Sequence, residues 1–149
     1  MRTPDQLTTR FREQGLRVTP QRQAIFALLE GEQSHPTVET LHERARVTMP
    51  AISLKTVYQT VHDLEALGEV HLLDVGTGSV RVDPNVEDAH HHLVCTVCGR
   101  VRDVDLADAH LRVPARDRRD FTVDAVQVIF RGRCAGCLLL GHNQPKEQH

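Results

Sequence analysis

The sequence contains very few aromatic residues. Tryptophan is absent, and phenylalanine, tyrosine and tryptophan together make up 3% of the 149 residues. A packed core must therefore come mostly from leucine, valine, isoleucine and alanine, which bury less surface per residue than aromatic rings do. A small domain with such a core gains less free energy from burial, so it depends more often on a bound metal or a partner subunit.

Long hydrophobic runs are also missing. No stretch of about 18 apolar residues is present, so the sequence predicts no membrane-spanning helix. The N-terminal residues 1–15 are polar and do not have the pattern of a signal peptide. We therefore expect a cytoplasmic protein. The net charge of −2 excludes a uniformly basic nucleic-acid-binding surface, although it permits a local basic patch.

The first part of the chain, residues 1–84, predicts four helices followed by a hairpin. Apolar residues recur at helical spacing and then change to a shorter period over residues 69–83, around a glycine-containing tip. Each predicted helix follows a residue that favours the N-cap position, namely Thr3, Thr19, Thr37 and Ser53. The first helix extends to about Gln14, the second to Glu30, and the fourth spans 54–67. This order of elements predicts a winged helix-turn-helix domain.

The second part of the chain predicts mainly strands. Residues 85–88 are polar and are expected to form a linker, 89–141 a second domain, and 142–149 a flexible tail. Within the second domain, we expect strands at 93–95, 101–104 and 125–130, a short helix at 106–112, and a solvated turn at 116–120. The predicted fold class is α+β, with an N-terminal winged-helix domain and a C-terminal α/β domain.

All four cysteines belong to two Cys-x-x-Cys pairs, Cys95 with Cys98 and Cys134 with Cys137. In a reducing compartment this spacing favours zinc over disulfides. Zn²⁺ binds four thiolates as a tetrahedron, and such a closed shell is typical of a structural site. The alternatives are four free buried thiols or a redox-active dithiol.

Histidines and aspartates suggest a second metal site. His90 and His92 are two residues apart, so on a strand they point to the same face, whereas His91 is expected to face solvent. If the two domains fold against each other, His35, Asp83 and Asp103 could join this pair. Three imidazoles and two carboxylates suit Fe²⁺, Mn²⁺ or Zn²⁺. The alternative is an ordinary pair of surface histidines.

Five motifs occur along the chain, namely Gly-Leu-Arg-Val-Thr-Pro-Gln-Arg (15–22), His-Pro-Thr (35–37), Ser-Leu-Lys-Thr-Val-Tyr (53–58), His-x-His-x-x-Cys-x-x-Cys-Gly (90–99) and Cys-x-x-Cys (134–137). Together they resemble the ferric uptake regulator (Fur) family of bacterial metal-dependent repressors, over roughly residues 5 to 140. The resemblance implies a homodimer with an N-terminal winged-helix DNA-binding domain and a C-terminal α/β dimerisation domain. It implies structural Zn²⁺ at the four cysteines. It also implies a regulatory Fe²⁺ or Mn²⁺ bound by His35, Asp83, His90, His92 and Asp103, a site that Zn²⁺ or Ni²⁺ can occupy in vitro.

The two carboxylates indicate a branch of this family. Iron-sensing members usually carry glutamate where this chain has Asp83 and Asp103, and aspartate at both positions is similar to the peroxide-sensing (PerR-type) branch. In that branch, bound Fe²⁺ reacts with H₂O₂, a ligating histidine is oxidised, and the repressor leaves DNA. His35 and His90 are the corresponding histidines. Because this is self-oxidation without turnover, no enzyme activity is expected. The alternative is an iron-, manganese- or nickel-responsive repressor.

The resemblance also implies a DNA-binding surface and the absence of one further metal site. The predicted DNA contacts are Tyr58 to a thymine methyl, Lys55 and Gln59 to bases or phosphates, and Arg17 to the minor groove. The expected partner is a palindromic, AT-rich double-stranded operator. The positions of an accessory metal site hold His110 and Val126, so that site is expected to be absent. Two alternative functions from other classes of protein remain open. One is a zinc hydrolase that uses His90, His92 and Asp103, and the other is a structural zinc module that pairs proteins.

Overall fold

The computed structural model of the protein describes residues 1–76, 78–86, 90–106 and 111–141. The chain divides into two compact units, and the division falls between residues 88 and 89. The expected linker at 85–88 lies partly outside the described residues, and the expected flexible tail at 142–149 lies wholly outside them. Within the described part of the chain, no helix has both the length and the apolar character needed to cross a membrane.

The first unit contains four helices and a two-stranded antiparallel sheet. The helices are α1 (Pro4–Glu13), α2 (Pro20–Leu29), α3 (Val38–Thr48) and α4 (Leu54–Ala66), and the strands are β1 (His71–Asp74) and β2 (Val80–Asp83). Helices α3 and α4 form the helix-turn-helix, and the β1–β2 hairpin forms the wing. The predicted winged helix-turn-helix is confirmed.

All four predicted N-caps form. The side-chain oxygens of Thr3, Thr19, Thr37 and Ser53 each accept a hydrogen bond from the backbone N–H three residues later. Each bond satisfies a donor that would otherwise lack a partner in the first helical turn, and a cap of this kind contributes about 1 kcal/mol. The four helices therefore begin where the sequence predicts.

The core of the first unit joins all four helices to the hairpin. The rings of Phe11 and Phe26 pack edge to face with their centroids 4.9 Å apart. Helix α4 buries Val57, Val61 and Leu64 as its apolar stripe predicts. Leu54 lies three residues before Val57 at the same helical spacing, but it is 37% exposed because it is the first residue of the helix. The other buried core residues are Leu7, Ile25, Leu29, Val38, Leu41, Ala45, Ile52, Val70 and Val82.

The second unit contains a three-stranded sheet and two short helices. Its elements are β3 (His91–Cys95), β4 (Val101–Val104), α5 (Ala115–Arg118), β5 (Ile129–Gly132) and α6 (Ala135–Leu139). Strand β3 is central, with β4 antiparallel on one side and β5 parallel on the other. The predicted strand at 101–104 is confirmed, whereas several other boundaries differ.

Strand β3 begins at His91 instead of residue 93, because His91 and His92 both pair with residues of β4. The strand expected at 125–130 is β5 at Ile129–Gly132, since its pairing with β3 starts only at His92. The charged run at 116–120 was predicted as a solvated turn. Residues 116–118 instead belong to α5, residues 119–120 form a turn, and all five are exposed. Most of the helix expected at 106–112 lies outside the described residues.

The second unit buries little apolar surface within a single chain. Among its described residues, the buried hydrophobic ones are Val94, Cys95, Val101 and Cys137. Its large exposed hydrophobic side chains are Leu93, Leu111, Val113, Phe121, Val123, Val126, Phe130, Leu138, Leu139 and Leu140. Two of these four buried hydrophobic residues are cysteines, so the apolar packing of the described part of this unit centres on its thiol cluster.

Candidate metal centres

The parallel pairing of β3 with β5 brings the two Cys-x-x-Cys pairs together. Cys95 lies opposite Gly132, two residues before Cys134. The four sulfur atoms lie within 4.8 Å of one another, and the Cys95–Cys137 and Cys98–Cys134 Sγ atoms are 3.8 Å apart. A tetrahedral zinc with Zn–S bonds of about 2.3 Å requires S–S edges of about 3.8 Å. The cluster therefore has the dimensions and ligand type of a structural zinc site.

The ionisation of the four thiols indicates that the cluster needs a bound cation. Burial opposes ionisation of Cys95, but backbone N–H groups, those of Cys98 and Cys134 among them, lower its pKa to about 6. Burial and the neighbouring thiols raise the pKa of Cys137 to about 12. Without a metal, the four sulfurs do not all ionise near neutral pH. A divalent ion that binds all four displaces the remaining protons.

The turn in the first Cys-x-x-Cys pair depends on a glycine. Gly99 has a φ of +73°, and its N–H donates to the carbonyl of Cys95 at 2.9 Å. The carbonyl of Arg100 then accepts from the N–H of Cys95 at 2.9 Å. A left-handed residue is needed for this tight return, and glycine adopts it without strain.

A second cluster lies at the opposite end of β3. The antiparallel register places His92 directly opposite Asp103 on β4. The Nε2 atoms of His90 and His92 are each 3.8 Å from Asp103 Oδ1, and the two ring centroids are 4.8 Å apart. His92 is buried, and Asp103 remains 37% exposed. His90 and His92 thus lie on the same side of the sheet, as their spacing predicts.

Two residues next to this cluster were not anticipated correctly from the sequence, namely His91 and Gln127. The prediction that His91 faces solvent is wrong, because His91 is half-buried and its Nδ1 accepts a hydrogen bond from the Val128 N–H at 3.2 Å. Gln127 was not predicted, and its side-chain amide lies 3.5 Å from His92 Nδ1. Gln127 is itself exposed, and its place between Val126 and Val128 gives no local signal that it lies next to His92.

The first unit holds a separate pair of candidate ligands, His35 and Asp83. Their Nε2 and Oδ1 atoms are 3.5 Å apart, and both side chains are 1% exposed. His35 lies in the connection between α2 and α3, and Asp83 is the last residue of β2. His35 has a φ of +50°, a left-handed conformation that few non-glycine residues adopt. Such a residue persists only when its surroundings hold it in place.

Contacts on both sides hold the His35 loop. The Glu32 carboxylate accepts hydrogen bonds from the Gln33 and Ser34 N–H groups at 2.9 and 2.7 Å, and from Arg44 at 2.5 Å. Burial opposes ionisation of Glu32, but the hydrogen bonds from Ser34 and Arg44 hold its pKa below the usual value for a glutamate. Neither Glu32 nor Arg44 was predicted, because their partners are backbone groups and a distant helix.

The hairpin supports the same loop from its other side. Arg81 donates to the His35 carbonyl at 3.2 Å, and the Val82 N–H donates to the Pro36 carbonyl at 2.9 Å. The Nδ1 atom of His35 lies 3.2 Å from the Gln33 carbonyl, which can only accept. Nδ1 therefore carries a proton, and Nε2, on the side of Asp83, is the ring nitrogen that a metal could use.

The predicted DNA-binding residues lie at or near the surface of the first unit. Lys55 and Gln59 are exposed on α4, and Arg17 is exposed between α1 and α2. Tyr58 is half-buried, and its hydroxyl donates to Glu39 on α3 at 2.6 Å. Arg22, on α2, pairs with Asp63 on α4. Of the accessory-site positions, His110 is outside the described residues and Val126 offers no ligand atom.

Comparison with known proteins places this geometry in a family. Residues 13–130 match the model of the ferric uptake regulator family. The chain is 35% identical over 130 residues to the transcriptional regulator FurA of Mycobacterium tuberculosis, covering 85% of this chain and 86% of that protein. It is 32% identical over 128 residues to the peroxide-responsive repressor PerR of Staphylococcus aureus, with the same two coverages.

A solved structure agrees with this assignment. A zinc-bound manganese uptake regulator superimposes with a TM-score of 0.66 and 30% identity, covering 89% of this chain and 99% of that one. The family match extends over most of both units, from α1 to β5. The chain therefore belongs to the ferric uptake regulator family and is a metal-responsive transcriptional regulator.

Proposed function

We propose that the chain is a DNA-binding repressor that senses peroxide through one Fe²⁺ ion bound by His35, Asp83, His90, His92 and Asp103. The observation that carries this proposal is that each unit holds an incomplete set of ligands. The first unit offers the His35–Asp83 pair, and the second offers two histidines with Asp103. Fe²⁺ and Mn²⁺ favour more ligands than either set supplies. One ion that uses both sets restricts how the two units are arranged.

The donor chemistry suits such an ion. Neutral imidazoles and two carboxylates balance the charge of a divalent cation, and this mixture is typical of Fe²⁺ and Mn²⁺. Zn²⁺ and Ni²⁺ are expected to compete for the same ligands in vitro. The thiolate cluster is distinct in chemistry, and we propose that it binds structural Zn²⁺ through Cys95, Cys98, Cys134 and Cys137.

Two observations favour peroxide as the signal. Both carboxylate positions, 83 and 103, hold aspartate, and the relatives include a peroxide-responsive repressor. The relatives also include FurA and a manganese uptake regulator, so a repressor that responds to iron, manganese or nickel alone is the second candidate. The two candidates share their ligands and differ in whether a histidine is oxidised.

The oxidation step has a defined balance. A bound Fe²⁺ supplies the redox chemistry that reduces H₂O₂. The net change inserts one oxygen atom into a C–H bond of the His35 or His90 imidazole and releases one water. The oxidised ring would hold the ion less tightly, which would release the constraint on the two units and lower DNA affinity. Each chain reacts once, so no substrate is turned over.

We propose that the first unit binds DNA and that the second unit forms the dimer. We propose that α4 enters the major groove, with Lys55, Tyr58 and Gln59 facing the DNA and Arg17 reaching the minor groove. The many exposed apolar side chains of the second unit support a homodimer, because an interface between two copies would remove such side chains from water. Two copies related by a twofold axis would read a palindromic operator, which we expect to be AT-rich.

Peptide mass spectrometry of the Fe²⁺ form after a brief, low dose of H₂O₂ tests this proposal. Trypsin yields one peptide spanning residues 23–44, with His35 and His42, and another spanning 82–100, with His90, His91 and His92. We expect a gain of one oxygen on His35 or His90, located by fragmentation, together with release of DNA.

The Mn²⁺ form is the matched control, since it should bind DNA without gaining oxygen. Within the first peptide, His42 is an internal control because it lies outside the proposed ligand set. Release of DNA on iron removal alone, with neither histidine oxidised, would contradict peroxide sensing and favour the second candidate.

The Glu32 contacts lead to a prediction about the first half of the site. Glu32→Ala removes three hydrogen bonds that hold the His35 loop, so we expect Mn²⁺ affinity to fall about tenfold, as for other residues that orient a metal ligand. Metal-dependent DNA binding in a fluorescence titration measures this affinity. Glu30→Ala removes the same charge at the end of α2 and should change the affinity by less than about twofold. Equal affinities for the two variants would exclude a positioning role for Glu32.

A further inference from the structure

A chain of contacts from α2 holds the exposed amide of Gln59 on α4. Gln59 Nε2 donates to Asp63 Oδ1 at 3.0 Å, one helical turn later. The other carboxylate oxygen of Asp63 accepts from Arg22 on α2 at 2.5 Å. Asp63 thus contacts the guanidinium and the amide at the same time, through different oxygens.

The inner part of this chain is anchored in the core of the first unit. The side chains of Arg22 and Asp63 are only 14% and 16% exposed. The Arg22 guanidinium lies 5.2 Å from the centre of the Phe11 ring, and Phe11 is fully buried. An isolated pair one turn apart on a helix surface is weak and mobile. Here the Asp63 carboxylate is held by Arg22, so the direction of the Gln59 amide that donates to it is fixed as well.

The fixed amide has a defined hydrogen-bonding edge. A glutamine amide has two N–H donors and one carbonyl acceptor. Asp63 accepts only from nitrogen, which prevents the amide from rotating by half a turn. The edge with Oε1 and the second N–H remains available. That pair matches N6 and N7 of adenine in the major groove, and no other base offers the same donor and acceptor in that arrangement.

We propose that Asp63 and Arg22 are positioning residues that fix Gln59 to read adenine. The inference rests on the proposed DNA-binding function. It adds to that function a preference for adenine, which Gln59 would not provide without Asp63 and Arg22. A purely structural clamp between α2 and α4 would stabilise the unit without changing which base is preferred. The readout that separates the two roles is base preference.

The experiment uses the full chain loaded with Mn²⁺ and a library of random-sequence duplex DNA. Repeated selection yields a preferred duplex, in which each adenine is then replaced singly by 7-deazaadenine, which lacks the N7 acceptor. We expect affinity to fall about tenfold at one adenine in each half-site, because that replacement removes half of a bidentate contact. Fluorescence anisotropy measures the dissociation constants.

Variants then test whether Asp63 controls this contact. In Gln59→Ala and in Asp63→Asn, we expect the 7-deazaadenine penalty at that position to fall below about twofold. Asp63→Glu keeps the charge for Arg22 but moves the acceptor by one methylene, so it should also reduce the penalty, and it covers the case in which Asp63→Asn does not fold. Glu65→Gln removes the same charge from the same helix and should leave the penalty unchanged.

The outcomes separate this inference from the function on which it rests. Failure of the Mn²⁺ form to select any DNA sequence would overturn the proposed function, and the inference with it. Selective, metal-dependent binding in which Gln59→Ala keeps the full penalty would overturn adenine reading alone. Loss of the penalty in Gln59→Ala but not in folded Asp63→Asn or Asp63→Glu would show that Gln59 reads adenine without help from Asp63.

Discussion

Replacing Cys137 with alanine is expected to abolish zinc retention and to unfold the second unit while leaving the first unit folded. The described part of the second unit buries only four hydrophobic residues, and two of them are Cys95 and Cys137 themselves. A structural Zn²⁺ contributes roughly 10 kcal/mol or more, as much as the whole stability of a typical domain. Among the described residues of this unit, the other buried hydrophobic ones are Val94 and Val101, which are too few to offset such a loss.

Zinc content by elemental analysis and backbone amide NMR spectra measure the two effects. We expect about one zinc per chain in the unaltered protein and almost none in Cys137→Ala. Resonances of the second unit should collapse to unfolded positions, whereas those of the first unit persist because it has its own core. Thr96→Ala is the matched control, since it lies inside the first Cys-x-x-Cys pair and loses only a bond to the Gly132 carbonyl. A folded second unit in zinc-free Cys137→Ala would contradict the proposed role of the metal.

Alanine at His35 or at His92 is expected to lower the affinity for regulatory Mn²⁺ by more than about 100-fold, since even residues that only orient a ligand affect affinity 10- to 100-fold. The two histidines belong to different units, but we propose that they bind the same ion. Either substitution should therefore remove metal-dependent DNA binding, and the double variant should lose little more than each single one. Mn²⁺ titrations of DNA anisotropy provide the comparison.

His42→Ala is the control for this pair of variants. His42 is on α3, and its Nε2 lies 3.0 Å from the Ile52 carbonyl, so its loss removes an imidazole without removing a proposed ligand. We expect its Mn²⁺ response to stay within about threefold of the unaltered protein. Losses that add up fully in His35→Ala/His92→Ala would indicate two separate ions, and the shared site would have to be abandoned.

The features that the sequence predicts well are those set by near neighbours. Thr37 caps α3 because its hydroxyl reaches an N–H three residues later, and no distant contact is needed. The shared orientation of His90 and His92 follows from the two-residue period of an extended chain. The spacing within each Cys-x-x-Cys pair is likewise local, so the ligand type of the thiol cluster is readable from the sequence.

The features that it predicts poorly depend on partners elsewhere in the chain. Strand β5 starts at Ile129 because its pairing with β3 starts there, opposite His92. The apolar alternation at Val126 and Phe130 falls on exposed side chains and not on a buried strand. Helix α6 has five residues with Gly136 inside it, too short for a helical period to appear. The half-buried state of His91 depends on the backbone of Val128, which no local pattern reveals.

Strand β3 holds ligands of both proposed metals within a few residues, with Cys95 at one end and His92 near the other. Side chains alternate between the two faces of a strand, so a single-residue insertion or deletion here would turn one ligand set to the wrong face. Outward positions such as Leu93, which is 42% exposed, carry no such constraint. Substitutions at the outward positions of this segment are therefore tolerated. A change in its length would instead separate the proposed regulatory metal site from the proposed zinc site in a single step.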